Sequence, residues 1–150
     1  MSDLRELYQS VILDHNKKPR NFREPEGVNC CARGDNPLCG DKLTVFLTVE
    51  DDVVKDAAFQ GSGCAISTAS ASLMTEAIKG GSTAEAEKLF EGFHALVTSD
   101  PTAPVEAQGL GKLQVFAGVR EFPVRVKCAT LAWHTMRAAL GDGAETVSTE

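Results

Sequence analysis

Three short stretches, far apart in the chain and each carrying one cysteine, constrain this protein more than anything else in it. They are Asn36-Pro37-Leu38-Cys39-Gly40-Asp41, Gly61-Ser62-Gly63-Cys64 and Arg125-Val126-Lys127-Cys128. In an extended segment the side chains at i and i+2 point the same way. Cys39 and Asp41 can therefore face one point in space, with Gly40 letting the backbone bend between them. Thiolates from Cys64 and Cys128 would complete a set of three sulfurs and one oxygen, which Zn²⁺ takes tetrahedrally. No pair has the C-x₂-C spacing of a zinc ribbon, so the set is useful only if the fold brings distant segments together.

The bulk composition narrows the alternatives. A chain of 150 residues with 43% apolar and 24% charged residues has the ordinary balance of one globular domain with its own core. A formal charge of −6, with no Lys/Arg run longer than two, argues against a nucleic-acid partner. No stretch of 18 apolar residues spans a membrane, and Met1-Ser2-Asp3-Leu4-Arg5-Glu6 lacks the basic and apolar regions of a signal peptide. The expectation is a cytoplasmic protein. In a reducing compartment five cysteines point to metal ligands or reactive thiols rather than disulfides. Cys30 and Cys31 read as small hydrophobes in a Gly/Asn-rich loop, since they bring no helper residues.

Asp3 and Glu6 resemble a capping box, and Leu4, Leu7, Tyr8, Val11 and Ile12 follow at helical spacing, predicting a helix over 4–13. Pro19, Pro25 and Gly27 then predict a long polar loop reaching Leu38. After Asp41 the period becomes two, with Leu43, Val45, Leu47 and Val49 on one face, and Val53 to Phe59 reads as the partner strand of a hairpin. Cys64 heads a helix over about 65–79 whose Ala65, Ser67, Thr68, Ala69, Ser70, Ala71 and Ser72 are small enough for very close packing. At that N-terminus the helix dipole and free N–H groups favour a thiolate.

Ser82 and Glu85 form a capping box for a helix over 83–96, with His94 at its edge. A connector follows, then a short helix ending at Gly118 and a last helix starting at Pro123 and carrying Cys128. Residues 142–150 lack apolar periodicity and are expected to fray, leaving residues 1–150 as one domain.

Zinc with three thiolates and one carboxylate carries a net charge of −2, which is costly to bury uncompensated. Arg125 and Lys127 flank Cys128 and could offset it while steadying the thiolates. A purely structural zinc is more commonly held by four Cys or His ligands. An Asp in their place makes a harder, more exchangeable site, suited to a thiolate that must at times leave the metal. Cys39, on a Pro/Gly loop rather than a helix, is the candidate to leave and to attack the terminal sulfur of another protein's persulfide.

The motifs N-P-x-C-G-D at 36–41, G-S-G-C at 61–64 and R-V-K-C-A-T-L-A-W at 125–133 closely resemble the SufU branch of the IscU-like family. Asp14-His15 with Pro19-Arg20-Asn21 is similar to that family's N-terminal stretch, and the resemblance runs from about residue 4 to 140. Lys127 stands where classical IscU scaffolds have a histidine, and an additional segment around residues 80–105 separates Cys64 from Cys128. The resemblance implies an α+β fold, with a small antiparallel sheet covered by helices on one side and the metal site at one end. It also implies Zn²⁺ on Cys39, Asp41, Cys64 and Cys128, and sulfur accepted on Cys39 from a SufS-type cysteine desulfurase for delivery to a SufBCD-type scaffold. A nascent [2Fe–2S] cluster on the same ligands is the alternative, and a structural zinc module that docks on partners is a third. A zinc hydrolase is disfavoured, because H-E-x-x-H and the deaminase pattern are absent and four protein ligands leave no position for a catalytic water.

Overall fold

A computed structural model describes residues 2–37, 40–104, 109–141 and 146–148. Its elements run α1 (Ser2–Lys17), β1 (Cys30–Asn36), β2 (Asp41–Glu50), β3 (Val53–Ser62), α2 (Ala65–Ile78), α3 (Thr83–Thr98), a 3₁₀ helix (Gly111–Val119), α4 (Pro123–Gly141) and β4 (Thr146–Ser148). The fold is α+β, as the motifs imply.

The sheet order is β3-β2-β1-β4, with β1, β2 and β3 antiparallel. Alternation along β2 buries Leu43, Val45 and Leu47 on the face that meets the helices. α4 lies across β1, and α2 packs on β3 and on α4, with α1, the 3₁₀ helix and α3 outside them. The approach of α4 is close. A side chain at Gly34 would collide with Thr135 and would touch Leu131, both on that helix. Trp133 is wholly buried and stacks on Phe93 of α3 at 4.7 Å between ring centroids.

The small residues of α2 serve the packing expected of them. Ser67, Ala69, Ser70, Ala71 and Ser72 are all buried. Ser70 Oγ donates to the Ala129 carbonyl at 2.5 Å and accepts from Trp133 Nε1 at 3.2 Å, tying α2 to α4. The predicted cap of α3 is present in full: Glu85 N–H donates to Ser82 Oγ and Ser82 N–H to Glu85 Oε1, both at 3.0 Å.

Four expectations change. α1 starts at Ser2 and continues to Lys17, beyond the expected 4–13 at both ends, and the side chain of Asp3 lies outside the described residues. Nothing before Pro19 interrupts it, and the residue before a proline disfavours helix. The expected long loop to Leu38 is shorter, because Cys30–Asn36 pairs with β2. Cys30 and Cys31 therefore sit in a strand, each half-buried, with Cys30 packed against the core. β3 extends past Phe59 to Ser62, carrying Gly61 into the ladder opposite Leu43. At the other terminus, Thr146–Ser148 adds to β1 as a short parallel strand where fraying was expected. Residues 142–145 and 149–150 of that expected tail lie outside the described residues.

Candidate metal centre

Strand register brings the site together. Asn36 pairs with Asp41 across β1 and β2, and Lys42 pairs with Ser62 across β2 and β3. The end of β1, the start of β2 and the end of β3 thus share one edge of the sheet. Two residues past β3 stands Cys64, the N-cap of α2, with extended backbone (φ −71°, ψ 167°). Cys128 lies in the early turns of α4, which packs on β1 and β2, and is buried.

Asp41, Cys64 and Cys128 each present a ligand atom, and these atoms lie within 4.8 Å of one another. Among the described residues this is the one such grouping of His, Cys, Asp and Glu. Leu38 and Cys39, the expected fourth contributor, lie outside the described residues.

Asp41 is fully buried. Its Oδ1 accepts from the Cys64 backbone N–H at 2.7 Å, and its Oδ2 lies 3.9 Å from Cys64 Sγ. Asn36, also fully buried, directs Nδ2 to Asp41 Oδ2 and to Cys128 Sγ, 3.5 Å from each. The Cys64 sulfur accepts from the Ser67 N–H at 3.4 Å, the hydrogen bond of a helix N-cap. Among the described residues no Lys, Arg or His forms an ion pair with Asp41. A buried carboxylate beside two sulfurs with no cationic side chain is unfavourable unless protonated or matched by a cation. Two soft sulfurs and one oxygen with backbone donors behind them fit a zinc or iron ion completed by a fourth ligand.

The basic residues expected to offset the charge lie in the first turns of α4, beside Cys128. Arg125 is exposed and places its guanidinium 4.7 Å from the centre of the Phe122 ring. Lys127 is half-buried, and neither ion-pairs with Asp41. Tyr8 is a residue the sequence reading placed only in a helix core. Burial pushes its phenol up from the usual range, Arg125 opposes this, and the nearby Cys64 charge adds to it. Among the described residues the Tyr8 hydroxyl has no hydrogen-bond partner. Asn36 was the other omission. Its signal was an amide before a proline at a strand end, which reads equally well as an ordinary turn residue.

A second constellation, Ser72–His15–Glu76, has the residue types of a hydrolase but not its access. His15 Nδ1 is 2.7 Å from Ser72 Oγ and Nε2 is 3.8 Å from Glu76 Oε1. Ser72 is wholly buried, and its Oγ already accepts the Arg20 N–H at 2.8 Å. It joins α1 to α2 and has no route to a substrate.

Comparison with known proteins agrees with the architecture. The profile of the NifU-like N-terminal domain matches residues 7–129. The chain is 39% identical over 140 residues to the iron–sulfur cluster assembly scaffold protein IscU of Streptococcus pyogenes serotype M1, covering 93% of this chain and 86% of the relative. It is 38% identical over 138 residues to the zinc-dependent sulfurtransferase SufU of Bacillus subtilis, covering 90% of each. The solved structure of FiSufU from Fervidobacterium islandicum AW-1 superposes with a TM-score of 0.81 at 31% identity, covering 91% of this chain and 98% of that one.

Proposed function

The chain belongs to the family of NifU-like N-terminal domains, whose members include IscU and SufU proteins of iron–sulfur cluster assembly, and from that premise we propose that it is a zinc-dependent sulfur relay. It takes persulfide sulfur from a SufS-type cysteine desulfurase and passes it to a SufBCD-type scaffold. The observation that carries this reading is the buried Asp41 carboxylate, gathered with Cys64 and Cys128 within 4.8 Å and, among the described residues, without an ion pair.

In this reading Cys39, Asp41, Cys64 and Cys128 hold Zn²⁺. One residue, Gly40, separates Cys39 from Asp41, so two residue steps give a reach of at most about 7 Å. The bound ion would keep these cysteines as thiolates near neutral pH. Asp41 is oriented by the Cys64 N–H, and Cys64 by the Ser67 N–H. In sequence Cys39 lies between Asn36 and Asp41, which pair across β1 and β2, and it is the ligand taken to leave. Its thiolate attacks the outer sulfur of the donor persulfide: a new S–S bond forms to Cys39, the donor's S–S bond breaks, and the donor departs as a thiolate. Cys39 is then the persulfide, and no net oxidation occurs. The exchangeable Asp41 ligand suits such a site better than a fourth thiolate would.

The same centre supports a second reading, a scaffold for a nascent [2Fe–2S] cluster, favoured by the 39% identity to a relative named as a scaffold. In either case the place of action is the cytoplasm, with no nucleic-acid or membrane partner. Among the described residues no helix is long and apolar enough to cross a bilayer.

The deciding experiment is sulfide release by the cognate desulfurase with and without this protein. Stimulation should be lost in Cys39→Ala, and sulfur should be found on Cys39 of the wild type by mass spectrometry. Undiminished stimulation by that variant rejects the relay. Visible cluster absorbance after anaerobic reconstitution, with transfer to an apo-ferredoxin, would favour the scaffold.

A further inference from the structure

We propose that Asn36 is a positioning residue of the metal centre: its carboxamide nitrogen tethers Cys128 to Asp41 and tempers the sulfur's donor strength. The inference rests on the metal reading given above and deepens it. Asn36 ends β1, is fully buried, and pairs with Asp41 in the register that closes the hairpin carrying Cys39. Its Nδ2 is 3.5 Å from Cys128 Sγ and 3.5 Å from Asp41 Oδ2. Each amide hydrogen can serve one of them. A carboxylate oxygen and a thiolate sulfur are both acceptors, so the nitrogen end of the amide is the end that must face them. Among the described residues Asn36 Oδ1 has no hydrogen-bond partner. The polar contacts of this buried side chain therefore run through the nitrogen, into the ligand set.

The consequence follows from charge. Three thiolates and a carboxylate exceed the charge of a divalent ion, and Arg125 and Lys127 form no ion pair with Asp41. Neutral N–H donors spread part of the excess. A hydrogen bond to a coordinating thiolate lowers its energy and weakens its electron donation to the metal, because the donor hydrogen draws on the sulfur lone pairs. Asn36 also links two ligands from different elements, β2 and α4. With this tether in place Cys39 can leave while Asp41 and Cys128 remain together.

The test uses Co²⁺ in place of zinc, because its thiolate-to-cobalt charge-transfer band reports sulfur donation directly. Asn36→Leu keeps similar volume without donors, and Asn36→Ala removes both; far-UV circular dichroism checks that each is folded. Expected are a shift of the band to longer wavelength and a metal affinity lower by about tenfold or more in chelator competition. An unchanged band with affinity within twofold of the wild type overturns the inference while leaving the metal centre intact. Wild-type protein that binds neither Co²⁺ nor Zn²⁺ removes the metal reading itself, and the role of Asn36 with it. If Asn36→Ala fails to fold, the band position in folded Asn36→Leu decides.

Discussion

Gly63 stands where a β-carbon would come within 2.6 Å of Asp41 Oδ1 and 3.1 Å of its carboxyl carbon. The glycine before Cys64 is thus a spatial requirement of the carboxylate, which fills the room that a side chain would occupy. Asp41 can reach the Cys64 N–H at 2.7 Å because position 63 is bare.

Gly63→Ala should therefore displace Asp41 without unfolding the protein. Zinc affinity should drop about ten- to hundredfold, the size seen when the support of a ligand is disturbed. Competition with a chromophoric chelator measures it, and circular dichroism should be unchanged. Affinity equal to the wild type would show that Asp41 adapts to the methyl group or does not ligate.

Asp41→Asn should have opposite effects in the loaded and stripped protein. With metal bound, the variant loses an anionic ligand and should be less stable by about 3 kcal/mol, the cost of breaking a buried charge pair. After chelation the wild type retains a buried carboxylate that forms no ion pair among the described residues, whereas the amide is neutral. The stripped variant should then equal or exceed the stripped wild type in thermal midpoint. Calorimetry on the four samples gives the comparison, and a variant that is weaker in both states would contradict it.

Stability should fall as pH drops below 6.5, partly because of His15 and His134. Burial holds both imidazoles below the usual histidine value of 6.5, with the Arg20 charge adding to it at His15 and His94 adding to it at His134. Above 6.5 both states are neutral and the full contribution is present. Below 6.5 the unfolded chain takes protons that the folded chain refuses, so stability declines until the folded pKa is passed. Each group contributes a slope of at most about 1.4 kcal/mol per pH unit. Urea unfolding of the wild type and His15→Gln should give a shallower decline in the variant, and identical slopes would exclude His15.

Ser82→Ala should cost about 1 kcal/mol by removing one arm of the capping box. Loss of the Ser82 Oγ bond also frees Glu85, whose carboxyl is held below its ordinary value first by the Ser82 backbone N–H and then by its hydroxyl. The change lies away from the metal centre, so zinc affinity should stay as in the wild type. A large change in that affinity would mean that α3 and the site are coupled.

The alternation of β2, the cap of α3, the small-residue face of α2 and the start of α4 at Pro123 were all legible in the chain, because each follows from interactions within a few residues. Grouping Cys39, Asp41, Cys64 and Cys128 came from their chemistry as ligands, and the fold brings the three described members together. The strand at Cys30–Asn36 was hidden by its composition: Arg33, Gly34, Asp35 and Asn36 carry no strand preference, and only the ladder with β2 makes them one. β4 was hidden for the same reason, since three residues have no periodicity of their own.

What the amino-acid sequence settled alone was the list of chemically competent groups and most of the local elements, since spacing, caps and turn residues act at short range. Which groups meet was decided by the tertiary structure. Strand register sets Asn36 opposite Asp41, the bare Gly63 admits the carboxylate, and α4 brings the buried Cys128 to Asp41 and Cys64. Those facts depend on contacts between segments up to 92 residues apart, as between Asn36 and Cys128. No local pattern encodes such a distance, because it arises only when the core closes.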